Sequence, residues 1–73
     1  MMLKQGDWVS LKFDDDKMAK LRMLGISSKG QVINVITDTP RPFCTVSFPC
    51  LFAPNGSLTF SDVWFEYLEK VDV

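Results

Sequence analysis

Apolar and polar residues alternate along several short stretches of this chain, and glycine, proline and aspartate separate those stretches. From Trp8 to Phe13, Val9, Leu11 and Phe13 fall on one side while Trp8, Ser10 and Lys12 fall on the other. A period of two predicts a half-buried strand. It is entered through Gly6-Asp7 and leaves Trp8 on the outer face. Asp14, Asp15 and Asp16 end it, since three adjacent carboxylates prefer water and one of them can cap a helix N-terminus. Met18, Leu21 and Leu24 then recur at a spacing of three, with basic residues between them and Gly25 behind. One or two helical turns with a glycine stop are expected, although the segment is also long enough to be an irregular loop.

Ser27 to Gly30 reads as a turn and Gln31 to Ile36 as the next strand. The alternation slips between Ile33 and Val35, which predicts either two covered faces or a bulge. Thr37 to Pro42 is a loop, because Pro40 and Pro42 cannot donate to a ladder. Phe43 to Phe48 is a third strand with Cys44, Val46 and Phe48 on one face, and Pro49 interrupts it. Cys50–Ala53 and Ser57–Phe60 flank Pro54-Asn55-Gly56, a hairpin signal in which glycine supplies the positive φ. Residues 61–71 are ambiguous. Val63, Trp64, Tyr67, Leu68 and Val71 fit a helical stripe that Ser61 could cap, yet the segment is rich in β-formers. A short turn followed by a last strand is the favoured reading. The chain is therefore expected to be mostly β, one antiparallel and strongly bent sheet with Val9, Leu11, Val32, Val46, Phe48 and Leu68 in its core.

A length of 73 residues allows one domain, 1–73, and one core. The apolar fraction of 47% and charged fraction of 23% are those of a globular chain rather than a disordered one. Six Phe, two Trp and one Tyr give a small core large buried areas to use. The net charge of −1 makes no strong field, but its halves differ. Lys17, Lys20, Arg22, Lys29 and Arg41 stand against Asp38 in the middle, while Asp62, Glu66, Glu69 and Asp72 stand against Lys70 at the end. Cys44 and Cys50 on one strand would lie roughly 20 Å apart. A disulfide needs Cα atoms within about 7 Å, so both are expected to be reduced and unbridged, as in a cytoplasmic protein. The start of the chain carries no apolar signal-peptide core, and no apolar run approaches membrane-spanning length. No membrane association is expected.

The order Gly6-Asp7-x-Val9-x-Leu11, long loop, Gly30-x-Val32-x-x-Val35, proline loop, Thr45-Val46-x-Phe48, Leu68-Glu69-x-Val71 resembles the small SH3-like barrels. It is most similar to the PsaE-type ferredoxin-docking barrels of photosystem I, and in part to KOW-type barrels of ribosomal and transcription proteins. The resemblance implies a barrel of about five strands with a short helical turn in the long loop, whose loops and open edges dock a partner. It rests on glycines and apolar positions, which report fold rather than function. PsaE-type chains carry basic residues on the first and third strands, where Lys12 is the single charge here. KOW proteins are usually basic overall, and this chain is slightly acidic.

There is no histidine, which removes the commonest general base and metal ligand. Two cysteines six apart fit no zinc ligand pair. Asp14, Asp15 and Asp16 could hold a divalent cation but lack the order and closing glutamate of a calcium loop. The glycines form no phosphate-binding fingerprint. No enzyme activity and no cofactor are expected. Trp8, Phe43, Phe52, Trp64, Phe65 and Tyr67 exceed what one small inner face can hold, and exposed aromatics mark interfaces. The first expectation is thus a non-catalytic protein-interaction module, an accessory subunit of phage or bacterial type or a self-associating protein. It would dock through Trp8, Trp64, Phe65 and Tyr67. The alternative is a nucleic-acid-binding barrel using Lys17, Lys20, Arg22, Lys29 and Arg41 beside an aromatic such as Phe43.

Overall fold

The computed structural model describes residues 2–71; Met1, and Asp72 of the acidic half, lie outside the described residues. Alternation builds the strands where it is cleanest. Strand β1 is Trp8–Leu11 and strand β3 is Phe43–Pro49, and both alternate half-buried with buried positions. Strand β2 is Lys29–Ile36, strand β4 is Ser57–Trp64 and strand β5 is Leu68–Lys70. They form a five-stranded antiparallel sheet in the order β4-β3-β2-β1-β5. The fold is mostly β, as expected. The sheet does not close into a barrel, and β4 and β5 remain its two edges.

Helix α1, Asp15–Met23, occupies the long loop after β1. The Asp14 carboxylate caps it by accepting from the Lys17 N–H at 2.8 Å, and Asp15 and Asp16 sit in its positive first turn. The helix stops in a Schellman motif. Gly25, at φ +80°, donates to the Arg22 carbonyl at 2.9 Å, and Ile26 donates to Leu21 at 3.1 Å. Met18 and Leu21 pack on the core, whereas Leu24 sits at the cap and is exposed.

Two bulges set the phase of the sheet. On β2, Val32 pairs with Val46 and Asn34 with Thr45, so Ile33 is the extra residue behind the slip in alternation. On β4, Val63 pairs with Cys44 and Phe60 with Val46, so Ser61 and Asp62 oppose Thr45 alone. Asp62 takes φ +58° to accomplish this. The added residue lets Phe60 and Val63, three apart, both pack against the core. A bulge followed by the 3₁₀ turn Phe65–Tyr67 thus stands where Val63, Trp64, Tyr67 and Leu68 imitate a helical stripe.

The hairpin falls elsewhere than the turn signal implied. It joins β3 to β4, with Pro49 opposite Ser57, and Cys50–Ala53 forms no strand. The Leu51 N–H goes instead to the Gly25 carbonyl at 3.0 Å, and Cys50 bridges to Ile26, so the end of α1 pulls this segment off the ladder. Gly56, at φ +83°, still makes the turn back. All six expected core residues are buried, and Leu3, Ile26, Cys44, Cys50 and Phe65 join them. Cys44 and Cys50 are both buried free thiols. Among the described residues, no helix is long and apolar enough to cross a membrane.

Candidate partner-binding surface

The 3₁₀ turn that follows β4 sorts four consecutive residues by its period of three. Trp64, which caps the turn, and Tyr67, which ends it, are turned to one side. Their rings lie 5.8 Å apart at 33°, and they remain 37% and 40% exposed. Phe65 is turned the other way. Its N–H donates to the Pro42 carbonyl at 3.1 Å and its ring enters the core at 6% exposure. Its expected place on a docking face is therefore corrected: Phe65 is the peg that holds the turn against the sheet.

The pair continues in both directions. Phe13, just past β1, meets Tyr67 edge-on at 6.2 Å and 62°. The Lys12 N–H donates to the Tyr67 carbonyl at 2.8 Å and ties the two segments together. The Lys17 Nζ lies 5.5 Å from the centre of the Phe13 ring. At the other end the Arg41 guanidinium covers Trp64 at 3.2 Å from the ring centre, and its Nε and Nη2 donate to Glu66 Oε1. The result is a row, Lys17–Phe13–Tyr67–Trp64–Arg41, assembled from three stretches of the chain that are distant in sequence. Exposed cation–π contacts contribute only about 0.5–1 kcal/mol each, and an exposed ion pair about as little. The row is a presented surface more than a stabilising one. Beside it opens a cleft of about 420 Å³, rimmed by Lys12, Pro40, Arg41, Pro42 and Glu66, with Phe65 and Leu68 at its apolar wall.

Trp8 does not join the row. β1 and β5 are neighbours, but Trp8 pairs with Gln31 and its carbonyl accepts from Val71 at 2.9 Å. Lys12, four residues on, is the position that meets Tyr67. Trp8 is half-buried. The basic residues divide as well. Lys17, Lys20 and Arg22 are on α1, Lys29 opens β2 and Arg41 is in the loop between β2 and β3; of these, Lys17 and Arg41 lie over the row. Phe43 is half-buried at the start of β3, opposite Trp64.

A second apolar exposure surrounds the Schellman cap. Leu51 and Phe52 are 86% and 74% exposed, and the Phe52 ring lies against Gly25. Phe13 and Arg41 are the members of the row that alternation alone does not reveal. Phe13 is in phase with the core positions, and Arg41 is 23 positions before Trp64 in sequence. Burial raises the Cys44 thiol above its ordinary pKa, which disfavours its thiolate. Asp14–Asp16 serve the helix N-terminus, and no cluster of metal-ligating side chains occurs among the described residues. No family model matches the chain, and neither a curated protein nor a solved structure matches it.

Proposed function

We propose that this chain is a non-catalytic binding module that docks a protein segment on the row Phe13–Tyr67–Trp64 and the adjoining cleft. The carrying observation is the contiguous, half-exposed aromatic row with a cation at each end. Rigid aromatic faces offer large contact area at small entropic cost, and arginine and aromatics are the residues on which interfaces concentrate binding energy. The fitting ligand is an extended segment with apolar side chains for the rings and acidic groups for Lys12 and Lys17. An assignment to the SH3-like barrels belongs to the same proposal. It is supported by five antiparallel strands, the first beside the last, and by a 3₁₀ turn before the final strand. Two buried free thiols support a reducing, cytoplasmic setting.

The protein reading is favoured over nucleic acid because Arg41, which would contact phosphate, is already paired with Glu66. The test selects peptides from a displayed random library on the folded protein. It then measures their affinity for wild type, for Trp64→Ser with Tyr67→Ser, and for Lys20→Ala with Arg22→Ala. Selected peptides should bind wild type and lose at least about tenfold, 1.4 kcal/mol, on the aromatic double variant. They should retain affinity for the basic double variant. Peptides that bind the aromatic double variant equally well refute the site. An oligonucleotide that binds wild type with a steep salt slope, flattened by the basic double variant, would replace it with the nucleic-acid reading.

A further inference from the structure

We infer that the free edge of β4 pairs with the same edge of a second copy of this chain, along Ser57–Ser61. The argument does not use the aromatic row. Among the described residues, β4 has β3 on one side and no strand on the other. An exposed edge is ordinarily blunted by lysine, proline or charge. Ser57-Leu58-Thr59-Phe60-Ser61 carries none of these. Its polarity reads the same in both directions about Thr59: polar, apolar, polar, apolar, polar.

The backbone phase agrees with that centre. The Cys50 N–H donates to the Gly56 carbonyl at 2.9 Å, and hydrogen-bonded pairs alternate along an antiparallel ladder. Leu58 with Phe48 and Phe60 with Val46 are therefore the bonded pairs within the molecule, and Ser57, Thr59 and Ser61 aim their peptide groups outward. Pro49 fits this phase, since it stands opposite Ser57 and gives its carbonyl to Ser27 on the β2 side. A two-fold axis through Thr59 lets Thr59 exchange bonds with Thr59 of the second copy and Ser57 with its Ser61. The Ser57 N–H meets the Asn55 Oδ1 only at 3.4 Å and is available to exchange.

The side chains follow. Leu58 and Phe60 share the face of Phe48 and Val46, both fully buried, yet Leu58 is 38% exposed because the sheet stays open here. Pairing sets Leu58 opposite Phe60 of the second copy twice, and covers the open rim of both cores. Thr and Ser pair on the other face. The bulge at Asp62 ends the paired stretch, and Asp62 falls opposite Gly56, so no like charges meet. Isologous pairing of this kind closes on itself as a dimer.

Sedimentation across a concentration series, with amide hydrogen exchange at low and high concentration, tests the inference. Wild type should self-associate, with protection rising at the Thr59 and Ser61 amides as concentration rises. Thr59→Lys faces two ammonium groups across the axis and should weaken association by about tenfold or more, with its circular dichroism unchanged. Trp64→Ser should associate like wild type. A wild type that stays monomeric at millimolar concentration overturns the inference. So does a dimer whose Thr59 amide gains no protection, or one that Trp64→Ser abolishes and Thr59→Lys does not. Thr59 protection that appears in a monomer only on adding an extended peptide would assign the edge to a foreign strand, and would also overturn it.

Discussion

Gly30→Ala is a test of sign. Gly30 pairs with Val9 in ordinary strand geometry, and an alanine there should stabilise a strand by roughly 0.5–1 kcal/mol on backbone entropy alone. The packing argues the opposite. A Cβ at Gly30 would stand 2.7 Å from Phe48 Cδ1 and 2.8 Å from its Cγ and Cε1. Carbon atoms prefer about 3.5–4.0 Å. The ring has nowhere to retreat, since Phe48 is fully buried and lies 5.4 Å from Phe60. Overpacking costs about 1–3 kcal/mol, so the net loss should be about 0–2.5 kcal/mol after the entropic gain. In a domain this small each kcal/mol moves Tm by about 4–8 °C. Calorimetry on Gly30→Ala, Phe48→Leu and the double variant completes the cycle. The leucine side chain of Phe48→Leu can turn its methyls away from the new Cβ. Gly30→Ala should therefore be neutral or stabilising in that background, a coupling of at least about 0.5 kcal/mol. A higher Tm for Gly30→Ala in the wild type, or additive effects, would refute the close-approach argument.

Other outcomes follow from the same geometry. Asp14→Ala should lose about 0.5–2 kcal/mol and speed amide exchange in α1, while Asp14→Asn, which can still accept from Lys17, should lose little. Phe48→Ala should cost about 3–5 kcal/mol by denaturant titration, a large share of total stability for one domain. Cys44 should react with thiol reagents only as the protein opens, so its labelling rate should track added denaturant. Its raised pKa means that the folded state holds the thiol proton more tightly. The associated stability should be complete below the free-thiol value of about 8.5 and should fall as pH rises above it, a loss that Cys44→Ser removes from the pH profile. Arg41→Gln should shift Trp64 emission yet change stability by no more than about 1 kcal/mol.

The core was legible because one-sided burial leaves a period-two record. Val9, Leu11, Val46 and Phe48 declared themselves that way, Val32 and Leu68 were placed by the strands expected around them despite an imperfect period, and all six are buried. The slip at Ile33 was legible as either a bulge or two covered faces and is a bulge, and the Asp14–Asp16 run with Gly25 bracketed α1 by cap chemistry. What failed were features set by distant partners. Cys50–Ala53 has strand-like residues, but the Leu51 N–H goes to Gly25, far away in sequence, and the Ala53 N–H folds back on Cys50. Phe65 looked like one of three crowded aromatics, and only the 3₁₀ turn decides which of them goes inward. The row was half visible. Trp64 and Tyr67 were named as docking residues, but they share a side only in the helical stripe that was not the favoured reading, and Phe13 and Arg41 reach them through tertiary contacts that no local pattern records.

The pairing of β1 with β5 has a mechanical consequence. Val9 stands opposite Lys70 and Leu11 opposite Leu68, so the start of the first strand lies beside the end of the last. Tension applied through these two strands from their outer ends meets the ladder at Val9–Lys70 and loads one rung at a time. A zipper opened in this way yields bond by bond, each contributing about 0.5–1.5 kcal/mol, instead of all resisting together in shear. β5 would peel away first and carry the 3₁₀ turn with it, releasing Tyr67 from Phe13 while β2, β3 and β4 stay paired. Pulled from its ends, the molecule would lose its aromatic row before it lost its sheet.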